Sequence, residues 1–74
     1  MSIRSMRENA GLSQRELGRM TGSTVGRVWA WEAWSKTPRP ATARDPHIMS
    51  LALAKRTADA LGLTLDEFHE GLDD

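Results

Sequence analysis

The sequence predicts an all-helical domain of five short helices. Three observations carry that reading. Apolar residues recur at helical spacing, two boxes of the form Ser/Thr-x-x-Glu mark helix starts, and glycines close the segments at Gly11, Gly22 and Gly62. No stretch of useful length alternates as a strand would. The chain has 74 residues, 39% of them apolar and 27% charged, which fits one small soluble domain with a modest core.

The first helix places Ile3, Met6, Arg7 and Ala10 on one stripe, and Gly11 ends it. In Leu12-Ser13-Gln14-Arg15-Glu16-Leu17, Ser13 and Glu16 form a capping box and Leu12 and Leu17 a hydrophobic staple. A second helix therefore starts at Ser13 and runs to about Thr21, and Gly22 ends it. Thr24 caps a third helix that reaches about Trp34. Two short helices joined by a glycine-containing turn make a helix-turn-helix signature over about 13–34.

Residues 35–45 read as a loop with Pro38 and Pro40. Asp45-Pro46 opens a fourth helix, an acidic cap followed by proline at the first helical position. Ile48, Leu51, Lys55, Ala58 and Leu61 share its side, and Gly62 stops it. Thr64 and Glu67, flanked by Leu63 and Phe68, repeat the boxed start for a fifth helix from Leu65 to about Glu70. The C-terminal helices together span about 46–72.

Net charge is zero, but it is divided. Residues 1–44 carry Arg4, Arg7, Arg15, Arg19, Arg27, Lys36, Arg39 and Arg44 against Glu8, Glu16 and Glu32, a surplus of five positive charges. Residues 45–74 carry Lys55 and Arg56 against Asp45, Asp59, Asp66, Glu67, Glu70, Asp73 and Asp74, a surplus of five negative ones. Such a chain has a directional field, with a basic part suited to phosphates. No cysteine is present, which removes thiol chemistry and cysteine-based zinc sites. His47 and His69 lack metal-ligand spacing, so no metal and no cofactor are expected. No P-loop, dinucleotide turn or nucleophile elbow occurs, so the chain is not read as an enzyme. The most apolar run, 48–54, is far short of the roughly 20 residues of a membrane span, and no signal peptide is visible. A cytoplasmic protein without a membrane partner is expected.

One set of residues goes further. Met6-Arg7, Gly11-Leu12-Ser13-Gln14, Glu16-Leu17, Gly22, Thr24, Val28 and Trp31-Glu32, then Ala58 and Ala60-Leu61-Gly62-Leu63-Thr64-Leu65-Asp66, stand in a familiar order. The chain resembles, over about 3–34 and 56–70, the Cro and phage-repressor type of DNA-binding domain, the xenobiotic-response-element family of regulators. The resemblance implies a compact five-helix, lambda-repressor-like fold whose third helix lies in the major groove. It implies phosphate contact for Gln14 and Thr24, base reading for Val25, and an ion pair of Arg7 with Glu32 that ties the first helix to the third. Arg15, Arg19, Lys36, Arg39 and Arg44 are the further candidates for phosphate contact.

The third helix departs from the family pattern. Its outward face is expected to carry Gly26, Ala30 and Ala33, with Arg27 and Trp29 on its flanks. Such a small apolar face can approach the groove floor and touch thymine methyls. Arg27 is then the helix residue able to pair with guanine, a contact worth about 1–3 kcal/mol of discrimination. Trp29 is read either as packing on the 35–45 loop or a neighbouring subunit, or as touching a sugar or a thymine methyl. Gly18 and Thr21 replace larger family residues and are expected to make room for Trp31. Trp34 replaces the glycine that follows the family's glutamate, and residues 46–55 are read as an extension of the fourth helix.

Together these readings give a sequence-specific regulator of transcription, expected to be a repressor that binds an inverted repeat as a homodimer. Leu65, Leu72, Met49 and Leu53 are the candidate dimer residues. The rival is a protein-binding module, such as an antitoxin with a toxin or regulator as its partner, that keeps the helix-turn-helix as a scaffold.

Overall fold

Helix starts are fixed by side-chain caps at nearly every element of the computed structural model, which describes residues 2–72; Met1, Asp73 and Asp74 lie outside the described residues. Helix α1 spans Ile3–Asn9, α2 Gln14–Met20 and α3 Val25–Ala33. A single 3-10 turn at Pro46–Ile48 precedes α4 (Leu51–Leu61) and α5 (Leu65–Leu72). There is no strand among the described residues.

Both boxes form. The Glu16 N–H donates to Ser13 Oγ at 3.0 Å, and the Ser13 N–H donates to Glu16 Oε1 at 2.9 Å. The Glu67 N–H donates to Thr64 Oγ1 at 3.1 Å, and the Thr64 N–H donates to Glu67 Oε1 at 2.8 Å. Each box satisfies donors that a helix start leaves unpaired. Thr24 caps α3 by accepting from the Arg27 N–H at 3.1 Å. Glycines at positive φ close the turns at Gly11, Gly22 and Gly62, a conformation that costs other residues energy.

The core joins all five helices: Ile3 and Met6 from α1, Leu17 from α2, Val28 and Trp31 from α3, Ala58 and Leu61 from α4, and Phe68 from α5. Helices α2 and α3 are the most closely associated pair, and Gly18 is the reason. A Cβ at Gly18 would lie 2.9 Å from the carbonyl carbon of Thr24 and 3.1 Å from the amide nitrogen of Val25. The glycine thus makes room for the backbone at the start of α3, not for Trp31 as the sequence suggested. Thr21, fully buried at the end of α2, returns its hydroxyl to the Leu17 and Gly18 carbonyls at 2.8 and 3.1 Å.

The fourth helix differs from expectation. Asp45 does cap, with Oδ1 accepting from the His47 N–H at 2.9 Å, but Pro46 starts only the 3-10 turn. Met49 is extended, and Ser50 caps a new start by accepting from the Leu53 N–H at 3.2 Å. Thr57, Ala58 and Leu61 face the core, while Ile48 and Leu51 are 79% and 73% exposed. Of the side expected to run from Ile48 to Leu61, only Ala58 and Leu61 are inward, while Ile48, Leu51 and Lys55 are exposed. Helix α5 continues to Leu72, two residues past the expected end.

Candidate nucleic-acid interface

Helix α3 is buried along Val28 and Trp31, as its spacing required. Its opposite side is not uniformly open. Val25, Gly26, Arg27 and Trp29 are exposed, but Ala30 is 8% exposed and Ala33 fully buried. Base reading by Ala30 is thereby corrected: the side chain is covered. The cause is the 35–45 loop, which lies against the C-terminal half of α3. The Arg44 N–H donates to the Ala30 carbonyl at 2.9 Å, because the Trp34 N–H turns to Trp31 and leaves that carbonyl free. Ala43, 7% exposed, packs with the core side of this loop. What stands clear is the first turn of α3 together with Trp29.

The loop is pinned by two tryptophans. The Arg39 guanidinium stacks on the Trp34 ring at 3.5 Å, and its Nε donates to the Trp34 carbonyl at 2.8 Å. Lys36 Nζ sits 5.1 Å from the Trp29 ring centroid. Both are cation–π arrangements, which favour a desolvated cation over an aromatic face. Trp29 nonetheless keeps 39% of its surface exposed, so it combines loop packing with an open face.

Arg7 and Glu32 form a two-point pair. Arg7 Nε donates to Glu32 Oε2 at 2.7 Å, and Nη2 donates to Oε1 at 3.1 Å. Their side chains are 12% and 6% exposed. The hydrogen bond to Glu32 raises the Arg7 pKa further above its ordinary value, so the guanidinium stays charged. Its third branch, Nη1, donates to the Leu12 carbonyl at 2.8 Å and fixes the turn before α2.

Gln14 joins this network instead of standing free. Its Nε2 donates to Glu32 Oε1 at 3.1 Å, and the second hydrogen of that amide is left over from the bond. Beside it lies a depression of about 510 Å³ bordered by Arg4, Gln14, Trp29, Glu32 and Lys36. The remaining cations divide into two groups. Arg39 is committed to Trp34, and Arg44 Nη1 folds onto the Ala43 carbonyl at 3.1 Å. Arg15, Arg19 and Arg27 are exposed, and their side chains make no hydrogen bond or ion pair among the described residues. Arg15 and Arg19 stand one turn apart on α2, and Arg27 stands in the first turn of α3. Lys36 lies beyond them over Trp29.

A second surface gathers three of the four candidate dimer residues, Met49, Leu65 and Leu72, while Leu53 is not in its lining. A cleft of about 330 Å³ runs between the 3-10 turn, α4 and α5, lined by Met49, Leu51, Ala54, Leu65, Phe68 and Leu72. Leu51 is exposed on it, while Ile48, also exposed, borders a different depression together with Arg27 and Leu53. The signal that would have added Leu51 and Ala54 to it is Ser50, a cap residue directly before an apolar run, which shifts the helix start from Pro46. None of the helices among the described residues is long and apolar enough to cross a membrane. No protein-family model, no curated protein and no solved structure matches the chain.

Proposed function

We propose that this protein is a sequence-specific, double-stranded DNA-binding regulator of transcription, acting as a repressor through a lambda-repressor-like helix-turn-helix formed by α2 and α3. The observation that carries the reading is the first turn of α3. It is the exposed part of an otherwise buried helix, and uncommitted arginines stand on it and on α2. A recognition helix reads base edges with its N-terminal residues, which here are Val25, Gly26 and Arg27, with Trp29 one turn on. Arg15, Arg19 and Lys36 take the phosphates, and Thr24 and the second amide hydrogen of Gln14 add neutral contacts.

The acidic residues of α4 and α5 belong to the other end of the chain. Asp59, Asp66, Glu67 and Glu70 are all exposed there, with Asp59 paired to Lys55 and Glu67 capping α5. The cleft lined by Leu51, Leu65 and Leu72 suits a second copy of the chain. The molecule is 30 Å in its longest dimension, of the same order as the half-site spacing of about 34 Å, so copies on successive turns of DNA would be near neighbours. The antitoxin reading draws on the same apolar surface, with a different protein seated on it.

Selection of duplexes from a random library tests the proposal. Enrichment of one consensus with dyad symmetry, bound more weakly as salt rises, is the expected result. Failure to enrich any sequence, with a stable protein partner recovered instead, would transfer the fold to the protein-binding reading.

A further inference from the structure

The strip of α3 that stands clear has an unusual chemistry. Val25 is 47% and Trp29 39% exposed, and their spacing of four residues puts them on one side of the helix. Gly26, next to them, opens onto free space: a Cβ there would meet only Thr24 Oγ1, at 3.8 Å. The protein's own packing therefore does not require a glycine at this position. Thr24 Oγ1 is already the cap of the helix. The strip carries neither an amide nor a carboxylate, the groups that pair with adenine or accept from cytosine in the major groove. The one apolar mark that the major groove presents is the 5-methyl group of a pyrimidine. Cations at Arg27 and Lys36 border the strip and complement the phosphates that flank such a base.

Building on the DNA-binding reading above, we infer that Val25 and Trp29 form a reader of the pyrimidine 5-methyl group, with Gly26 letting the helix approach closely enough for contact. The reader distinguishes thymine from cytosine by the methyl and lacks the hydrogen-bonding groups that distinguish thymine from 5-methylcytosine. Cytosine methylation at a contacted position consequently strengthens binding instead of blocking it.

The test uses the duplex enriched by selection and single-position changes in it. Replacing a contacted thymine by deoxyuridine removes only the methyl and is expected to weaken binding about fourfold, the worth of one buried methylene-sized group. At the same position, 5-methylcytosine is expected to bind about fourfold more tightly than cytosine. Val25→Ser, an exposed change outside the core, is expected to remove both differences while leaving the helical circular dichroism and unfolding midpoint close to the parent's. Equal affinity for thymine and deoxyuridine at every position, or methyl effects undiminished by Val25→Ser, overturns the inference and leaves the DNA-binding reading standing. Absence of any enriched duplex removes both together.

Discussion

The guanidinium of Arg7 grips both carboxylate oxygens of Glu32, 25 residues away, with two hydrogen bonds at 2.7 and 3.1 Å. The pair couples α1 to α3, and through Gln14 and the Leu12 carbonyl it also sets the start of α2. Removing one partner strands a nearly buried charge. Arg7→Ala is expected to cost about 3–5 kcal/mol, whereas an apolar double replacement such as Arg7→Met with Glu32→Leu is expected to recover much of that loss. Urea unfolding of the three proteins measures this. A single-variant cost below about 1 kcal/mol, the range of a surface pair, would show that the pair is solvated.

Two glycines of the same helix pair make opposite predictions. Gly18→Ala puts a methyl 2.9 Å from the backbone of Thr24, so α2 and α3 must separate. Overpacking of this kind costs about 1–3 kcal/mol, more than alanine's helix preference returns. Gly26→Ala meets nothing closer than 3.8 Å and is expected to stabilise by up to about 1 kcal/mol. Thermal unfolding of both variants checks the signs, and equal shifts would remove the close-approach explanation for Gly18.

Much of this arrangement is legible in the residues, for a physical reason. Ser13 with Glu16, Thr24, and Thr64 with Glu67 act through hydrogen bonds three residues away, so local sequence determines them. Arg7 and Glu32 were legible only through resemblance, since nothing local joins them. The burial of Ala30 was not legible. It depends on where a proline-containing loop lands, and helical periodicity does not describe loops. The start of α4 went astray because two caps compete: Asp45-Pro46 is the stronger local signal, yet Ser50 begins the helix that packs.

Acid is expected to loosen the caps. Glu16 has its pKa lowered from an ordinary 4.5, chiefly by the Ser13 N–H and then by the Ser13 hydroxyl. Asp45 has its pKa lowered from 3.8, chiefly by the His47 N–H. Both folded values lie below the unfolded ones. Their stabilisation is therefore present above those ordinary values and is lost as pH falls through the lower folded values. Urea midpoints measured from pH 7 down to pH 3 are expected to fall at the acid end, and Glu16→Gln is expected to reduce that fall. A midpoint independent of pH in this window contradicts the assignment.

The loop over α3 is held by Arg39 on Trp34, and its release is measurable at a single amide. The Arg44 N–H is bonded to the Ala30 carbonyl, so its hydrogen exchange reports whether the loop is docked. Arg39→Ala removes an exposed stacking contact worth about 0.5–1 kcal/mol. The Arg44 amide is then expected to exchange about two- to fivefold faster, while amides of the core helices are unaffected. Unchanged exchange at Arg44 shows that Ala43 and the backbone bond hold the loop without Arg39.

On the proposed DNA-binding function, commitment within the protein also sorts the cations. Each phosphate contact contributes about 0.9 to the slope of log affinity against log salt. The side chains of Arg15, Arg19 and Arg27 make no hydrogen bond or ion pair among the described residues, with Arg19 only near enough to Glu16 to act on its charge, whereas Arg39 and Arg44 are spent on their own loop. Arg15→Ala and Arg19→Ala are therefore expected to lower the slope by about one unit each and to weaken all duplexes alike. Arg39→Ala is expected to leave the slope within about 0.3 units of the parent's, because a cation held over Trp34 has little freedom to follow a phosphate. Arg27, in the first turn of α3, is the informative exception. If it pairs with guanine, Arg27→Ala erases discrimination at one base pair, worth about 1–3 kcal/mol. If it meets a phosphate, the variant behaves like Arg15→Ala. Titrations of the selected duplex and its single-mismatch variants at three salt concentrations separate the two outcomes. A slope untouched by all three exposed arginines would place the duplex on another face of the molecule.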